Sequence, residues 1–343
     1  MTRVSVVIPC RNESEFIEQL LDAIHAQHRR PDEIIVADNG STDNSVAVVT
    51  AYAGRRPEIP LRVVHCDDAG AGAAMNAGIK AAIGDVIVRL DGHSAPNPEY
   101  IARALNNLDE PNAGVVGGVW EIAPGGQSLR SRAIALAVGS DLGSGGAAYR
   151  HAGRAQIHDV DTVPFGCYRR ELWKTLGGYN SSLLVVEDGE FNYRVRKAGL
   201  RVILDPGMRS TYFPRRRMRT LARQYFRYGW WKMPFLLQQP GAVRVRQLIP
   251  IGFVATFLVL AFASAAWTTA QVLLFALLAL YGAVLLAAGL KSALRAGDLR
   301  LWPLIAATFA IVHFAWGLGA VLFLASFGRV PPWRLNPQAT RVS

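Results

Sequence analysis

The chain has 343 residues, 51% of them hydrophobic, and carries 37 Lys and Arg against 26 Asp and Glu, a net charge of +11. Its three cysteines, Cys10, Cys66 and Cys167, form no CxxC pair, which argues against a disulfide framework or a zinc site and for a reducing compartment. The basic excess gathers in Arg215, Arg216, Arg217, Arg219, Arg223, Arg227, Lys232, Arg244 and Arg246. That position, directly before an apolar stretch, points to an anionic lipid surface or a phosphorylated lipid substrate rather than to nucleic acid.

Residues 4–8 are a short, β-branched apolar run of the kind buried in parallel sheets. The run is too short for the apolar region of a signal peptide, and Arg11, Asn12 and Glu13 follow at once. Phe16, Ile17, Leu20, Leu21 and Ile24 then recur at helical spacing. Residues 33–37 repeat the strand pattern and 43–52 the helical one; 61–65 read as a third strand, 73–82 as a helix and 85–90 as a fourth strand. This alternation predicts an α/β fold: a doubly wound, Rossmann-like sheet, parallel at least in its first half. Ligands of such sheets bind at the carboxyl ends of the strands, which here are residues 9–13, 38–43, 67–72 and 91–93.

Three apolar runs follow, at residues 248–266, 270–290 and 301–325, each able to cross a hydrocarbon core of ~30 Å. Only Trp267, Thr268 and Thr269 separate the first two, which predicts a hairpin. The next connection carries Lys291, Arg295 and Arg300 and belongs on the cytoplasmic side by the positive-inside rule. Arg329, Arg334 and Arg341 in the tail fit that rule poorly if the third run spans, so the third run either spans or is re-entrant. His313 within it reads as a packed polar residue. The expected division is a catalytic domain at 1–214, a basic and aromatic interfacial region at 215–247, about three transmembrane helices at 248–327 and a tail at 328–343. A cut after about Lys232 is expected to leave a soluble domain.

Chemistry is carried by strings at the strand ends. Strand one runs into Pro9-Cys-Arg-Asn-Glu13, and strand two into Asp38-Asn-Gly-Ser-Thr-Asp43. Asn39-Gly40 makes a turn and Ser41 a helix cap, which is compatible with Asp38 facing a ligand. In this order the two strings resemble the nucleotide-binding half of glycosyltransferase family 2, whose members have the GT-A fold. The resemblance implies a nucleotide-sugar donor, with Pro9, Glu13 and Asp38 at the nucleotide and uracil as the base.

Residues 84–93 are similar to the family's strand leading into an Asp-x-Asp motif, with Asp91 in the first acidic place and His93 in the second. By that resemblance Asp91 meets the ribose or a metal, and His93 ligates the cation beneath the diphosphate. An imidazole suits Mn²⁺ better than Mg²⁺, which prefers oxygen. The plain alternative is that His93 caps a turn before Pro96. An Asp-x-His variant with a C-terminal membrane tail resembles the ExoA-type enzymes of succinoglycan assembly.

Further on, residues 163–173, Leu176-Gly-Gly-Tyr-Asn180 and 186–191 resemble the family's acceptor half. Asp188 falls on its general base, with Glu187 beside it. Both carboxylates also suit a helix N-terminus, since 191–197 reads as helical. Gln224-Tyr-Phe-Arg-Tyr-Gly-Trp-Trp231 resembles a Gln-x-x-Arg-Trp motif with Tyr228 in the tryptophan place. This implies Gln224, Arg227 and Trp230 at the diphosphate and acceptor; the alternative is an interfacial helix with Trp230 and Trp231 at the membrane boundary.

The expectation is a metal-dependent inverting transfer of a hexose from a UDP-sugar to a lipid-linked saccharide, in polysaccharide or glycolipid biosynthesis. It places the enzyme at the inner face of a bacterial cytoplasmic membrane, in contact with membrane lipids. The rivals are a polyprenyl-phosphate sugar synthase and a non-catalytic scaffold that keeps a nucleotide-sugar fold. A dehydrogenase fits less well, because Met75 occupies the third glycine place after Gly70-Ala-Gly72.

Overall fold

The computed structural model describes residues 2–150 and 156–326, so the tail expected at 328–343 lies outside the described residues. Two compact units are present: Met1–Glu121 with Ala147–Phe213, and Ile122–Gly146 with the chain from Pro214 onward.

In the first unit, β1 (Val4–Cys10), α1 (Ile17–His25), β2 (Glu33–Asp38), α2 (Ser45–Arg55), β3 (Leu61–His65), α3 (Ala71–Ala81) and β4 (Val86–Arg89) follow the expected alternation. They are followed by β5 (Ser94–Pro96), α4 (Tyr100–Leu108) and β6 (Ala113–Ile122). After two helices of the second unit, α5 (Leu129–Val138) and α6 (Asp141–Ser144), the chain returns. It then forms β7 (His158–Asp159), β8 (Cys167–Arg169), α7 (Arg170–Thr175), α8 (Glu187–Lys197) and β9 (Arg201–Tyr212).

The strands join in the order β3-β2-β1-β4-β8-β6-β9-β5, with β7 on β9. β1 pairs in parallel with β2 and β4, and β2 with β3, whereas β8 runs antiparallel to β4, and β5 and β7 antiparallel to β9. The sheet is therefore parallel in its first half and mixed beyond it. β1 and β2 are apolar nearly throughout because both their faces are covered, as the sequence pattern requires. Val7, Ile35, Met75, Ile79, Ile87 and Phe191 share one buried core. Parallel pairing sets Cys10 beside Asp38, and Asp38 beside His65, so three strand ends lie level. The chain departs from β1 towards β2 on one side and β4 on the other, which makes this edge the switch point where such sheets bind ligands.

Away from that edge, Asp205 of β9 is buried and accepts from Arg103 (2.8 and 2.9 Å), Asn107 (2.7 Å) and the Gly207 amide (2.8 Å). Burial alone would raise its carboxyl pKa, but these donors outweigh burial and hold it below the ordinary aspartate value.

The second unit contains α5, α6, α9 (Met218–Gln238), α10 (Val245–Ala263), α11 (Thr268–Arg295) and α12 (Trp302–Ala325). Among the described residues, three segments are long and apolar enough to cross a membrane: Val245–Ala263, Thr268–Arg295 and Leu299–Ala325. Val259, Phe262, Phe275 and Leu280 lie exposed on α10 and α11, as on helices that face lipid. α5 is apolar on two sides. Ala133 and Ala137 pack with Leu285, Ile305 and Phe309, and Ile134 and Val138 pack with Leu221, Tyr225 and Val312. His313 is a packed polar residue, 3.1 Å from the Tyr281 hydroxyl and 2.9 Å from the Leu142 carbonyl. Of the 26 acidic residues only Asp141 and Asp298 fall in this unit, so the whole of the +11 excess belongs to it.

Candidate active site

At the end of β2 the buried Asp38 carboxylate accepts the Ser41 amide at 3.2 Å, closing the turn read from Asn39-Gly40. Asn39 does more than turn the chain. Its side-chain amide donates to the Cys66 carbonyl (3.2 Å) and its oxygen accepts the Gly70 amide (2.8 Å), tying the end of β2 to the loop after β3. The loop after β1 is fastened to the same turn: Ser45 Oγ accepts the Glu13 amide (2.8 Å) and Asn12 Oδ1 accepts the Thr42 amide (2.8 Å). Pro9 lies on β1 opposite Ala37. Beside it the buried Cys10 thiol is pushed up to about 12, mainly by burial and further by the Glu13 and Asp38 carboxylates, with the Ser41 and Ser45 hydroxyls opposing.

Glu13 reaches in the other direction to His93, with Oε1 3.1 Å from Nδ1. Gly92 permits the approach, because a Cβ there would stand 2.7 Å from Glu13 Cγ. His93 also sets its ring edge-on to Tyr212, with centroids 5.3 Å apart.

Arg89, the last residue of β4, is buried at 5% exposure. Its Nε donates to Asp91 Oδ1 (2.9 Å) and its Nη2 to Glu187 Oε1 (2.8 Å). Burial disfavours the guanidinium charge, but Asp91 and Glu187 hold it charged. Glu187 is itself buried, and burial raises its pKa despite Arg89. Both carboxylates of the Glu187-Asp188 pair open α8, and Asp188 is only half-buried. Val186 just before them holds φ +66°, a left-handed conformation that a β-branched residue adopts only under strain.

One cluster therefore gathers Glu13, Asp91, His93, Arg89 and Glu187, with Asp188 next along α8. Asp38 and Pro9 adjoin it across the end of β1. Gln224, Arg227 and Trp230 lie on α9 in the second unit. There Gln224 donates to the Tyr228 hydroxyl at 2.8 Å. Trp230 is buried, with its ring edge-on to Phe323, and Trp231 is buried too. Both rings therefore pack among the helices of this unit. Arg89 was not singled out in the sequence, although an arginine closing an otherwise apolar strand signals a buried charge that needs acidic partners.

No group of three His, Cys, Asp or Glu converges on a metal-sized centre among the described residues. Asp91 and His93 nevertheless supply one oxygen and one nitrogen donor on either side of Gly92. The Glu13 contact at Nδ1 is the means by which a carboxylate orients a ligating imidazole. A cation shared with substrate phosphates takes only one or two protein ligands, so this donor pair fits.

The family model described as glycosyl transferase family 2 matches residues 5–176. The succinoglycan biosynthesis protein ExoA of Rhizobium meliloti (strain 1021) is 28% identical, over 94% of this chain and 96% of that one. A Methanococcus voltae protein, dolichyl N-acetyl-alpha-D-glucosaminyl phosphate 3-beta-D-2,3-diacetamido-2,3-dideoxy-beta-D-glucuronosyltransferase, is 24% identical over 74% of this chain and 79% of its own. Among solved structures, the mannosyltransferase PcManGT of Pyrobaculum calidifontis, in complex with GDP-Man and Mn²⁺, superposes with a TM-score of 0.59 at 21% identity. That likeness covers 92% of this chain and 87% of the other and shows the GT-A fold. With half of its length matched by the family model, the chain belongs to glycosyltransferase family 2 and is a glycosyltransferase.

Proposed function

We propose that the chain transfers a hexose from a UDP-sugar to a saccharide carried on a lipid, with inversion, at the cytoplasmic face of a bacterial inner membrane. The observation that carries this reading is the run of contacts Glu13–His93 and Asp91–Arg89–Glu187, which sets the donor-side carboxylates beside the start of α8. Three apolar helices in the same chain supply the membrane context. The relatives' activities, succinoglycan biosynthesis and transfer to a dolichyl phosphate-linked sugar, support the acceptor class.

Glu13 and Asp38 seat the nucleotide, with Pro9 and its neighbours offering backbone groups to the base. Asp188 takes the proton of the acceptor hydroxyl while its oxygen bonds to the anomeric carbon and the bond from that carbon to the diphosphate oxygen breaks, releasing UDP. A single displacement of this kind inverts the anomeric centre. The Gly189 amide donates to Asp188 Oδ1 at 2.7 Å, which fixes the carboxylate at the start of α8. Glu187, whose pKa is raised by burial, anchors the helix to Arg89. A divalent cation held by Asp91 and His93 would supply Lewis-acid stabilisation of the leaving diphosphate. The imidazole favours Mn²⁺ over Mg²⁺, and a titration in which Mg²⁺ supports the faster turnover would remove that preference.

The test uses membranes containing the full chain, labelled UDP-hexoses and a native lipid extract. Label entering the solvent-extractable lipid fraction supports the reading. Label recovered only as free hexose, or only as unreacted donor, would overturn it.

A further inference from the structure

The second unit contains a feature that includes none of the residues assigned above. Between β6 and α5 the chain runs Pro124-Gly-Gly-Gln-Ser128, and Ser128 caps α5 by accepting the Ser131 amide at 3.2 Å. The first two amides of the helix, those of Leu129 and Arg130, have no intrahelical acceptor by the geometry of any α-helix. Ser131 is 1% exposed, yet its hydroxyl has no hydrogen-bond partner among the described residues. A buried hydroxyl left in this way is destabilising, which a natural site tolerates where a ligand supplies the missing partner.

That hydroxyl faces the glycine pair. A Cβ at Gly126 would lie 3.9 Å from Ser131 Oγ and 3.7 Å from Arg216 Nε. At Gly125 a Cβ would stand 3.0 Å from the Pro214 carbonyl and 3.1 Å from Arg216 Cγ. The Arg216 side chain thus lies along the two glycines. A helix N-terminus, a hydroxyl and a guanidinium meet at Gly126, and together they are donors suited to a phosphate.

Two observations point to a phosphate on a lipid. Arg132, in the first turn of α5, donates to Asp298 (3.0 Å) in the connector between α11 and α12, so this end of α5 lies level with the ends of two apolar helices. Ala133 and Ala137 then carry α5 along Ile305 and Phe309 of α12.

We propose that the first turn of α5, with Gly125, Gly126, Ser131 and Arg216, binds a phosphate ester carried by a membrane lipid. Its role as the seat of the acceptor's phosphate rests on the lipid-borne acceptor proposed above, but the site is tested by binding, without donor. Failure here is therefore distinct from failure of transfer.

The full chain in neutral detergent is titrated with a polyprenyl phosphate, with the matching polyprenol and with inorganic phosphate, and affinity is read from ligand-induced thermal stabilisation. The polyprenyl phosphate binds about tenfold or more tightly than either comparison compound. Arg216→Gln and Ser131→Ala each weaken it about tenfold. Ser131→Ala leaves the lipid-free melting temperature unchanged or raised, because it deletes an unpaired buried hydroxyl; a merely structural serine would lower it. Equal affinity for phosphate and alcohol, or unchanged affinity in both variants, overturns the site. Inorganic phosphate binding as tightly as the lipid overturns the lipid as its ligand.

Discussion

Arg89 and Glu187, 98 positions apart in sequence, meet at 2.8 Å with both side chains about nine-tenths buried or more. Since Arg89 also holds Asp91, the end of β4 fixes the Asp91 carboxylate and the start of α8 through a single cation. Arg89→Met leaves Glu187 buried without a counter-charge and should cost about 3–5 kcal/mol of stability. Glu187→Gln keeps an acceptor for Arg89 and leaves it paired with Asp91, so it should cost clearly less. Thermal unfolding in detergent measures both; equal melting temperatures for Arg89→Met and wild type would show that the cation links nothing.

How much of this was legible depends on the kind of contact. The strands and helices from residues 4 to 90 followed from the sequence because buried parallel strands are continuous apolar runs, and the helices between them show one apolar face. Asp91, His93 and the Glu187-Asp188 pair are candidates by motif, and the structure brings Asp91 and Glu187 together on Arg89. Arg89 is no such candidate, because its partners are a motif residue and a residue 98 positions away, and no local pattern records that. Residues 122–146 were read into the catalytic domain for a similar reason. Their small residues, Ala133, Ala135 and Ala137, give no amphipathic stripe, and only the packing of α5 against α9, α11 and α12 groups them with the helices.

That grouping changes what truncation does. A chain ending after about Lys232 keeps α5 and most of α9 but loses Val312, Ile305 and Phe309, against which Ile134, Leu221 and Ala133 pack. The fragment should associate or precipitate when detergent is removed, contrary to the soluble domain that the composition break suggests. Gel filtration without detergent decides it, and a monodisperse monomer would contradict the expectation.

Gly92→Ala should act on the donor site alone. Its Cβ would meet Glu13 Cγ at 2.7 Å and turn the carboxylate away from His93. Donor affinity should fall about tenfold, on the scale of one lost charge-assisted contact, with the melting temperature nearly unchanged. Unaltered affinity for UDP-sugar in a calorimetric titration would mean that Glu13 and His93 need not touch.

The acid limb of stability should contain an Asp205 component. Its folded pKa lies below the unfolded value of about 3.9, so its contribution is complete above that value and is lost as pH falls through the folded pKa. Asp205→Asn should therefore be less stable than wild type near neutral pH, with the gap closing below about pH 4. Melting temperatures across the acid range test this; a gap that stays constant down to acid-induced unfolding would speak against it.

The central claim is that Asp188 removes the acceptor's proton in a family 2 transfer to a lipid-borne saccharide. The most direct measurement compares wild type with Asp188→Asn in detergent-solubilised full chain, recording UDP affinity and the initial rate of labelled hexose entering the lipid fraction. Loss of the base should lower kcat by about 10²–10⁴-fold, because general-base assistance is worth that much, while UDP affinity stays within about twofold. A variant that transfers hexose to lipid at the wild-type rate would contradict the account.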